Sequence, residues 1–469
     1  MESILFRVAH VLSGKCRKTG WLFLVLLLAL PFPFILPASE APPGGAVPVA
    51  PGGEPLTAAP WYDKIETEWG GHFRIFGDAS WPDEKSVLKL VGPDTYFNGA
   101  VDFRLKNRTY LSAWGYLEIH YENILSGGDF RQAVTDLERR FPGFDEFNLL
   151  LRPPINDDRR LMDLTKTLSL GEDYIWYHRL DRLSITLQPS WGTVIVGRQA
   201  LTWGNGLIFN PMDLFNPFQP TDIIRDYKVG DDMAVIQLPL ETVGDAQFVY
   251  VARRDPVTGD LESDQSALTG KLHFAAGETE FDVMGAKNYG DAVIGLGSRG
   301  YFRDAAWRLD ATYTFLDDSA RRNGFLSLVA NMDYSWAWKG KNYHGLVEFY
   351  YNGLGDNDYP EAMADPDILT RLARGEIFVL GRTYLSGEIQ VELHPLLNFY
   401  LTVINNMADP SGILQPRAVW DVTENTRITA GANLSYGEAG SEYGGFKLLN
   451  SNYYTIPENS VLLWMSHFF

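Results

Sequence analysis

The sequence predicts an all-β protein, a transmembrane antiparallel β-barrel of about 18 strands, with 16 as the alternative count. Apolar and polar residues alternate strictly over segments of about nine to eleven residues that are separated by tight turns. The chain holds 27 Phe, 23 Tyr, 13 Trp and 44 Gly, yet it has no helix-spanning apolar stretch after residue 41. Its last ten residues read as a strand that ends in the aromatic Phe469. A soluble sandwich is the competing architecture, but its outward faces would carry too many aromatic residues.

Residues 1–41 have the pattern of a secretory signal peptide. A basic stretch precedes an apolar run from Trp21 to Ala38, which leads into small residues. A membrane anchor is the alternative reading, but Pro31, Pro33 and Pro37 would break a helix there. We therefore expect the chain to be exported through the periplasm after cleavage of this segment.

Residues 42–70 are rich in Pro, Gly and Ala and carry little charge at their start. This composition is typical of a flexible segment, here a periplasmic linker. The barrel is then predicted to occupy residues 71–469, which gives three parts in all.

Composition excludes several classes of function. The one cysteine, Cys16, precedes the apolar run and would leave with the signal peptide, so no thiolate metal site, iron–sulfur cluster or covalently attached haem is expected. We accordingly predict no cofactor. The net charge of −19 makes nucleic acid an unsuitable partner. It also hints at a preference for cations, although the charge of a chain is not the charge of its pore.

The clearest hairpin lies at residues 326–352. Leu328, Met332 and Trp336 share an apolar face with their alternate neighbours, and Val347 and Phe349 continue that face after the turn at residues 339–341. Further hairpins are predicted at residues 96–121, 175–202, 232–253, 266–288, 291–315, 377–407 and 411–437, with an opening strand at 72–78 and a closing strand at 460–469.

The connections between these strands sort by length. Those within hairpins are short, whereas those on the opposite side include residues 122–174, 203–231, 353–376 and 438–459. Membrane barrels keep short turns in the periplasm and long loops outside. Helical spacing predicts a helix around residues 129–141, and a short helix is expected after Asp367.

Alternation also predicts which side chains face the lumen. Charges of both signs fall on the face opposite the apolar one, where they must be hydrated or paired because hydrocarbon would cost several kcal/mol for each. We expect a polar, water-lined interior in which most of these residues are structural. The candidate lumen residues include Arg104, Asp310, Asp333, Glu348 and Arg417, together with Asp102, Glu118, His120, Lys271, His273, Asp282, Arg308, Asn331, His344, Glu388, Glu392 and Arg427.

One segment has a signature of its own. Residues 197–218 read GRQALTWGNGLIFNPMDLFNPF, an apolar loop interrupted by Gly and Pro between two predicted strands. Such a loop would be an aggregation liability if exposed, so we predict that it folds into the barrel. Gly197-Arg198-Gln199, Trp203-Gly204, Asn210-Pro211-x-Asp213 and Asn216-Pro217 resemble a motif of a poorly characterised, porin-like family of Gram-negative outer-membrane barrels. The resemblance covers about 35 residues and implies location and architecture more than a substrate.

Two interpretations of this loop remain open. It is either an inward constriction, with Arg198, Asp213 and Arg225 near the narrowest point and Trp203, Asn210 and Asn216 shaping it, or a packing element that braces the wall.

The leading functional hypothesis is a bacterial outer-membrane channel for passive diffusion of small polar solutes or ions, surrounded by lipid. The segment before the first strand is too short for a plug domain, which disfavours active uptake. The alternative is a barrel that sheathes a multihaem cytochrome partner in an electron conduit. An enzyme is not expected, because the histidines are scattered and no Gly-x-Ser-x-Gly motif occurs.

Overall fold

The structure, a computed structural model, describes residues 65–140, 155–224, 227–240, 244–317, 319, 321–447 and 454–469. The predicted signal peptide and most of the predicted linker lie outside these ranges. Eighteen antiparallel strands form one closed barrel, in which each strand pairs with the next and the last strand returns to the first. The predicted fold class and strand count are therefore confirmed.

The chain order of the elements follows the predicted hairpins closely. The strands are β1 (Glu66–Trp81), β2 (Tyr96–Ser112), β3 (Gly115–Gly128), β4 (Thr165–Leu170), β5 (Tyr174–Leu187), β6 (Thr193–Gln199), β7 (Asp231–Leu240), β8 (Gly244–Val251), β9 (Ala267–Ala276), β10 (Thr279–Asn288), β11 (Asp291–Phe302), β12 (Ala305–Phe315), β13 (Gly324–Trp338), β14 (Lys341–Asn352), β15 (Thr383–His394), β16 (Leu397–Asn406), β17 (Ser411–Thr423), β18 (Thr426–Tyr436), β19 (Phe446–Lys447), β20 (Tyr454–Thr455) and β21 (Asn459–Phe468). The helices are α1 (Asp129–Arg140), α2 (Tyr359–Ala362) and α3 (Pro366–Arg374), and a 3-10 turn spans Val87–Leu90.

Several strands differ from prediction: β3 ends at Gly128 rather than near residue 121, β15 starts at Thr383 rather than at 377, and the short β19 and β20 were not predicted. β1 starts at Glu66, so it is longer than the predicted 72–78 and takes up the last residues of the segment expected to be linker. β4 was not predicted, and it lies outside the ring of eighteen because it pairs only with the upper half of β5. The helices predicted around 129–141 and after Asp367 are confirmed as α1 and α3.

Connections at one end of the barrel have two to five residues, and the start of β1 and the end of β21 lie at that end. The long connections lie at the other end. We name four of them L2 (129–173), L3 (200–230), L7 (353–382) and L9 (437–458), and L4 (252–266) is a fifth of intermediate length. The predicted separation of short turns from long loops is therefore observed.

The outer face of the wall is apolar and exposed. Met332 is 46% exposed, Val347 57% and Leu463 56%, although all three lie in the middle of paired strands. A continuous apolar surface of this kind is stable when lipid surrounds it. In the described part of the chain, no helix is long and apolar enough to span a bilayer.

The wall is irregular where β6 ends. β6 has only seven residues, and after Gln199 the chain leaves the wall and enters the lumen as L3. Above that point, residues 155–164 and β4 lie between β5 and the residues that follow β8, where Arg160 forms an isolated bridge with Arg253. We call this junction of residues 155–164 with the ends of β6 and β7 the seam.

Candidate functional site

L3 crosses the lumen from one wall to the other. It leaves the wall at β6, and its residues 207–209 contact β14, which lies eight strands away in the ring of eighteen. We divide the loop into a proximal segment, residues 201–215, and a distal segment, residues 217–224. The prediction of an inward-folded loop is therefore confirmed, and its contacts decide what the lumen can do.

The proximal segment begins in an apolar cluster against the wall of β7 to β11. Trp203, Met212 and Phe215 are buried there against side chains such as Met233 and Val249. Trp203 Nε1 donates a hydrogen bond to Gln247 Oε1 at 2.8 Å, so its one polar atom is satisfied. At the far wall, Phe209 stacks on Tyr350 with 4.4 Å between ring centroids. The proximal segment is therefore anchored in the core of the protein at two opposite walls.

Two buried wall carboxylates hold the middle of the proximal segment. Glu348 of β14 accepts hydrogen bonds from the backbone N–H groups of Leu207 at 2.7 Å, Ile208 at 3.1 Å and Phe209 at 2.6 Å. Asp310 of β12 accepts bonds from the backbone N–H and the side-chain amide of Asn205. Hydrogen bonds to an ionised carboxylate are stronger than neutral ones, so these two side chains hold the backbone of residues 205–209 firmly against the wall.

Glycines explain why the segment can approach the wall so closely. A Cβ at Gly297 of β11 would fall 2.7 Å from Asp310 Oδ1 and 3.0 Å from Asn205 Nδ2. Within the loop, Gly204 has a φ of +86°, and a Cβ there would fall 2.1 Å from Asn210 Oδ1. Asn210 in turn donates to the carbonyl of Trp203 at 2.8 Å. The Trp-Gly and first Asn-Pro parts of the motif therefore pack against each other within one compact loop.

An ion pair closes the neck of the distal segment. Lys228 Nζ lies 2.6 and 2.7 Å from the two carboxylate oxygens of Asp213, and both side chains are buried. Asn216 adds a bond from its side-chain amide to the carbonyl of Val229 at 3.3 Å. Burial raises the pKa of Asp213 to about 6, while the charge of Lys228 and its hydrogen bonds oppose that rise.

The distal segment reaches the opposite part of the wall with fewer contacts. Gln415 of β17 donates to the carbonyl of Thr221, and Arg74 of β1 donates to the carbonyl of Ile224, both at 2.9 Å. Ile223 packs over Gly431 of β18, where a Cβ would lie 3.5 Å from its Cδ1 atom. Phe218 remains 42% exposed.

The return of L3 to β7 is fixed by a charge network. The guanidinium of Arg104 stacks on the ring of Tyr227 at 3.8 Å and pairs with Glu122 and Asp181. Asp181 also accepts a bond from the backbone N–H of Gly230 at 3.1 Å. Arg104 was predicted to face the lumen, and it does, but L3 covers it completely.

Arg198 does not line a constriction, so that prediction is wrong. Its side chain is 1% exposed and lies in the seam, where it binds Asp157, Asp232 and the carbonyl of Met162. β6 pairs Arg198 with Leu183, which lies on the lipid-facing side of β5, and residues 155–164 shield the guanidinium at that point. Arg198 therefore fastens residues 155–164 to β7.

The other predicted residues fall into three groups. Trp203, Asn210, Asp213 and Asn216 shape L3 from within, and Asp213 is buried rather than exposed to a channel. Asp333, ion-paired with Arg308, and Arg417, which lies 4.6 Å from the ring of Tyr400, remain half-buried on the inner wall. Arg225 lies outside the described residues.

Above L3, the lumen opens into a cavity of about 1340 Å³, which we call the vestibule. β1, β2, β3, β5, L2, L4, the distal segment, L7 and L9 all contribute to its lining. The lining contains eight Lys or Arg but five Asp or Glu, in contrast to the acidic chain as a whole. Within the described ranges, no group of three His, Cys, Asp or Glu side chains is placed to hold a metal ion.

Asp310 and Glu348 were among the residues predicted to face the lumen, but sequence reasoning missed other groups that position L3. Gln415 and Lys228 were not singled out, and the seam was not foreseen. The alternation Val194, Val196, Arg198 did carry a signal, because it placed Arg198 on the lipid-facing side of β6.

Comparisons with known proteins bear on the fold. Neither a family model nor a curated protein matches the chain. Among solved structures, OccAB2 of Acinetobacter baumannii is similar with a TM-score of 0.50 and 10% identity over 88% of this chain and 99% of that one. A BenF-like porin of Pseudomonas fluorescens Pf-5 gives 0.48 and 9% over 87% and 99%, and the carbohydrate-binding barrel Wzi of Escherichia coli gives 0.45 and 8% over 84% and 83%. At these identities the likeness to OccAB2 shows the fold alone, which is an 18-stranded barrel of the outer-membrane porin type.

Proposed function

We propose that this protein is a channel of the bacterial outer membrane through which small hydrophilic solutes or ions diffuse passively. The observation that carries the proposal is the course of L3, which is bound to the wall on both sides and narrows a polar lumen beneath an open vestibule. A barrel of eighteen strands is wide enough for an aqueous passage unless loops narrow it.

Two observations support the location. The apolar outer face needs surrounding lipid, and the barrel fold is that of outer-membrane porins. In this orientation the long loops and the vestibule face the exterior, and the short turns face the periplasm.

The cytochrome sheath remains the second candidate, and the course of L3 weighs against it. A haem protein inside the barrel would have to displace residues 205–209 from Asp310 and Glu348 and Phe209 from its stack on Tyr350. These contacts are buried and fill the space that such a partner would need.

The test is single-channel conductance in a planar bilayer, using residues 42–469 refolded into detergent micelles. Stable open steps are the expected result. A variant in which Gly-Gly replaces residues 217–226 should show larger steps, because it removes the distal segment and leaves the neck pair Asp213–Lys228 in place.

A matched control replaces residues 257–260 of L4 by Gly-Gly. This tip carries Val257, which is 91% exposed, and its residues do not line the vestibule. The control should conduct like the original protein. A barrel that inserts, shows heat-modifiable migration and never conducts would contradict the proposal and favour the cytochrome sheath.

A further inference from the structure

A cluster of arginines lies on the vestibule wall where L2, L4, α3 and the turn between β10 and β11 meet. Arg159, Arg253 and Arg374 all line the vestibule together with Tyr289. Tyr289 sits in a two-residue turn with a φ of +52°, and its ring lies 4.4 Å from the guanidinium of Arg253 and 4.0 Å from that of Arg374. The ring therefore fixes the positions of two cations.

Arg253 is fully engaged with the protein. It pairs with Asp231 at 3.1 Å, donates to Asn288 Oδ1 at 2.9 Å and is 4% exposed. Arg371, behind the cluster, likewise pairs with Asp291. Both side chains are buried and paired with carboxylates of the protein, so we treat them as supports.

Arg159 and Arg374 differ from these two. Among the described residues, Arg159 has no hydrogen-bonded or ion-paired partner for its guanidinium. Arg374 reaches only Glu376, at 3.8 Å, which is too long for a hydrogen bond, and its buried Nε has no partner in the described part of the chain. Two guanidinium groups are thus left with unused donors beside a cavity.

The local charge balance favours an anion. Burial, with a smaller contribution from Arg371 and Arg159, holds the pKa of Arg374 below its ordinary value, yet an arginine stays protonated near neutral pH. Burial also raises the pKa of Glu376, in spite of the arginines around it. Arg253, Arg371 and Arg374 each lie within 4 Å of a carboxylate, whereas Arg159 forms no ion pair with a described residue.

We propose that Arg159 and Arg374 form a binding site for the oxyanion group of a small solute, either a carboxylate or a phosphate, on the wall of the vestibule. Guanidinium groups suit this role because their planar donors match both kinds of oxyanion. For the passage of that solute the inference rests on the proposed channel, and it gives the pore a preference for anions. The cation preference suggested by net charge is thereby reversed.

A binding measurement tests the site without relying on conductance. Inorganic phosphate is titrated with the purified barrel in detergent, and the width of its 31P resonance is followed. Saturable broadening is expected, and acetate should displace the phosphate. The double variant R159Q/R374Q should weaken the apparent affinity by at least about threefold, the effect of losing two partly hydrated charge contacts.

The control is Arg139→Gln, which removes one charge from the exposed pair of Arg139 with Glu172 and does not alter the vestibule lining. Arg159→Gln alone serves as the second variant if the double variant does not fold, because Arg159 has the fewest contacts. Unchanged phosphate broadening in either variant, or acetate that fails to displace phosphate, overturns the proposal.

Conductance separates this inference from the channel itself. In a tenfold KCl gradient, the reversal potential of the original protein should show anion preference and should move towards zero in the double variant. Phosphate binding that depends on Arg159 and Arg374 in a barrel that never conducts would retain the site and reject the channel. Conduction with no anion preference and no phosphate binding would retain the channel and reject the site.

Discussion

The proximal and distal segments of L3 occupy the same lumen but are held in different ways. The proximal segment buries Trp203, Met212 and Phe209 and gives its backbone N–H groups to the wall carboxylates Asp310 and Glu348. The distal segment is attached through backbone carbonyls and leaves Phe218 exposed to the vestibule.

This difference in contacts indicates that the two segments have different roles. Groups buried with ionised partners are costly to release, whereas a surface segment with few contacts can change at little cost to stability. The proximal segment therefore behaves as part of the barrel core, and under the proposed function the distal segment is expected to set the free cross-section. Four substitutions probe that division.

The largest effect should come from Arg198→Ala, at the root of the proximal segment. The substitution leaves Asp232 buried without its cation and leaves Asp157 with Arg160 alone, and breaking a buried pair in this way typically costs about 3–5 kcal/mol. The free energy of unfolding in urea measures the loss, and Arg139→Ala provides an exposed control. Lys at position 198 should recover only part of the loss, because it cannot reach all three acceptors in the same geometry. A loss below about 1 kcal/mol would show that the seam does not depend on this side chain.

Glu348→Gln should have the next largest effect. The side-chain amide of Gln would place an N–H donor next to the backbone N–H groups of residues 207–209, which need an acceptor. The free energy of unfolding is expected to fall by about 1–3 kcal/mol. Conductance should rise at the same time, because the attachment of the proximal segment to β14 weakens to the stack of Phe209 on Tyr350. Glu392→Gln is the matched control, since its carboxylate accepts a hydrogen bond from the side-chain amide of Asn342 at an exposed site. Equal effects of the two substitutions would refute the special role of Glu348.

Asp213→Asn tests the neck through pH. Burial raises the pKa of Asp213 to about 6, above its value in the unfolded chain, so the folded protein binds this proton more tightly. The stability contributed by Asp213 is therefore fully present below about pH 4 and declines as the pH rises to about 6. The unfolding free energy of the original protein minus that of the variant should fall as the pH rises over that interval. It should stay constant above pH 7. A constant difference from pH 4 to 7 would contradict this assignment.

Phe218→Ala should have the smallest effect on stability, within about 0.5 kcal/mol, because the ring is exposed on the distal segment. Conductance should nevertheless increase, since the ring lines the vestibule above the narrowed lumen. Val257→Ala is the control at an exposed apolar residue outside the lining. Unfolding curves and single-channel records of the two variants give the comparison, and a destabilisation above about 1 kcal/mol would assign Phe218 to the core.

The sequence predicts the regular wall well because the period of two in a strand is a local property. The hairpin of β13 and β14 shows this, since Met332 and Val347 face outward and Asn331 and Glu348 inward, as alternation requires. The inward course of L3 also follows from composition. The sequence does not reveal that Glu348 binds L3, because these hydrogen bonds join residues that are 139–141 positions apart.

The seam escaped prediction for a related reason. Nothing local to residues 155–164 indicates that they complete the wall above β6, since the contacts that place them there, such as the bridge of Arg160 with Arg253, join residues distant in sequence. Arg198 was accordingly taken for a lumen residue, although its neighbours Val194 and Val196 place it on the outer face. Its burial depends on a segment that is distant in sequence.

The long reach of L3 also imposes an order on assembly. Its partners Asp310, Glu348 and Gln415 belong to β12, β14 and β17, and the bonds to them span 105 to 194 positions of chain. Contacts between such distant residues form late, after the intervening chain has been organised. A barrel that is still gathering its last hairpins would therefore have an unobstructed lumen, and the narrow passage would be completed only as the wall closes.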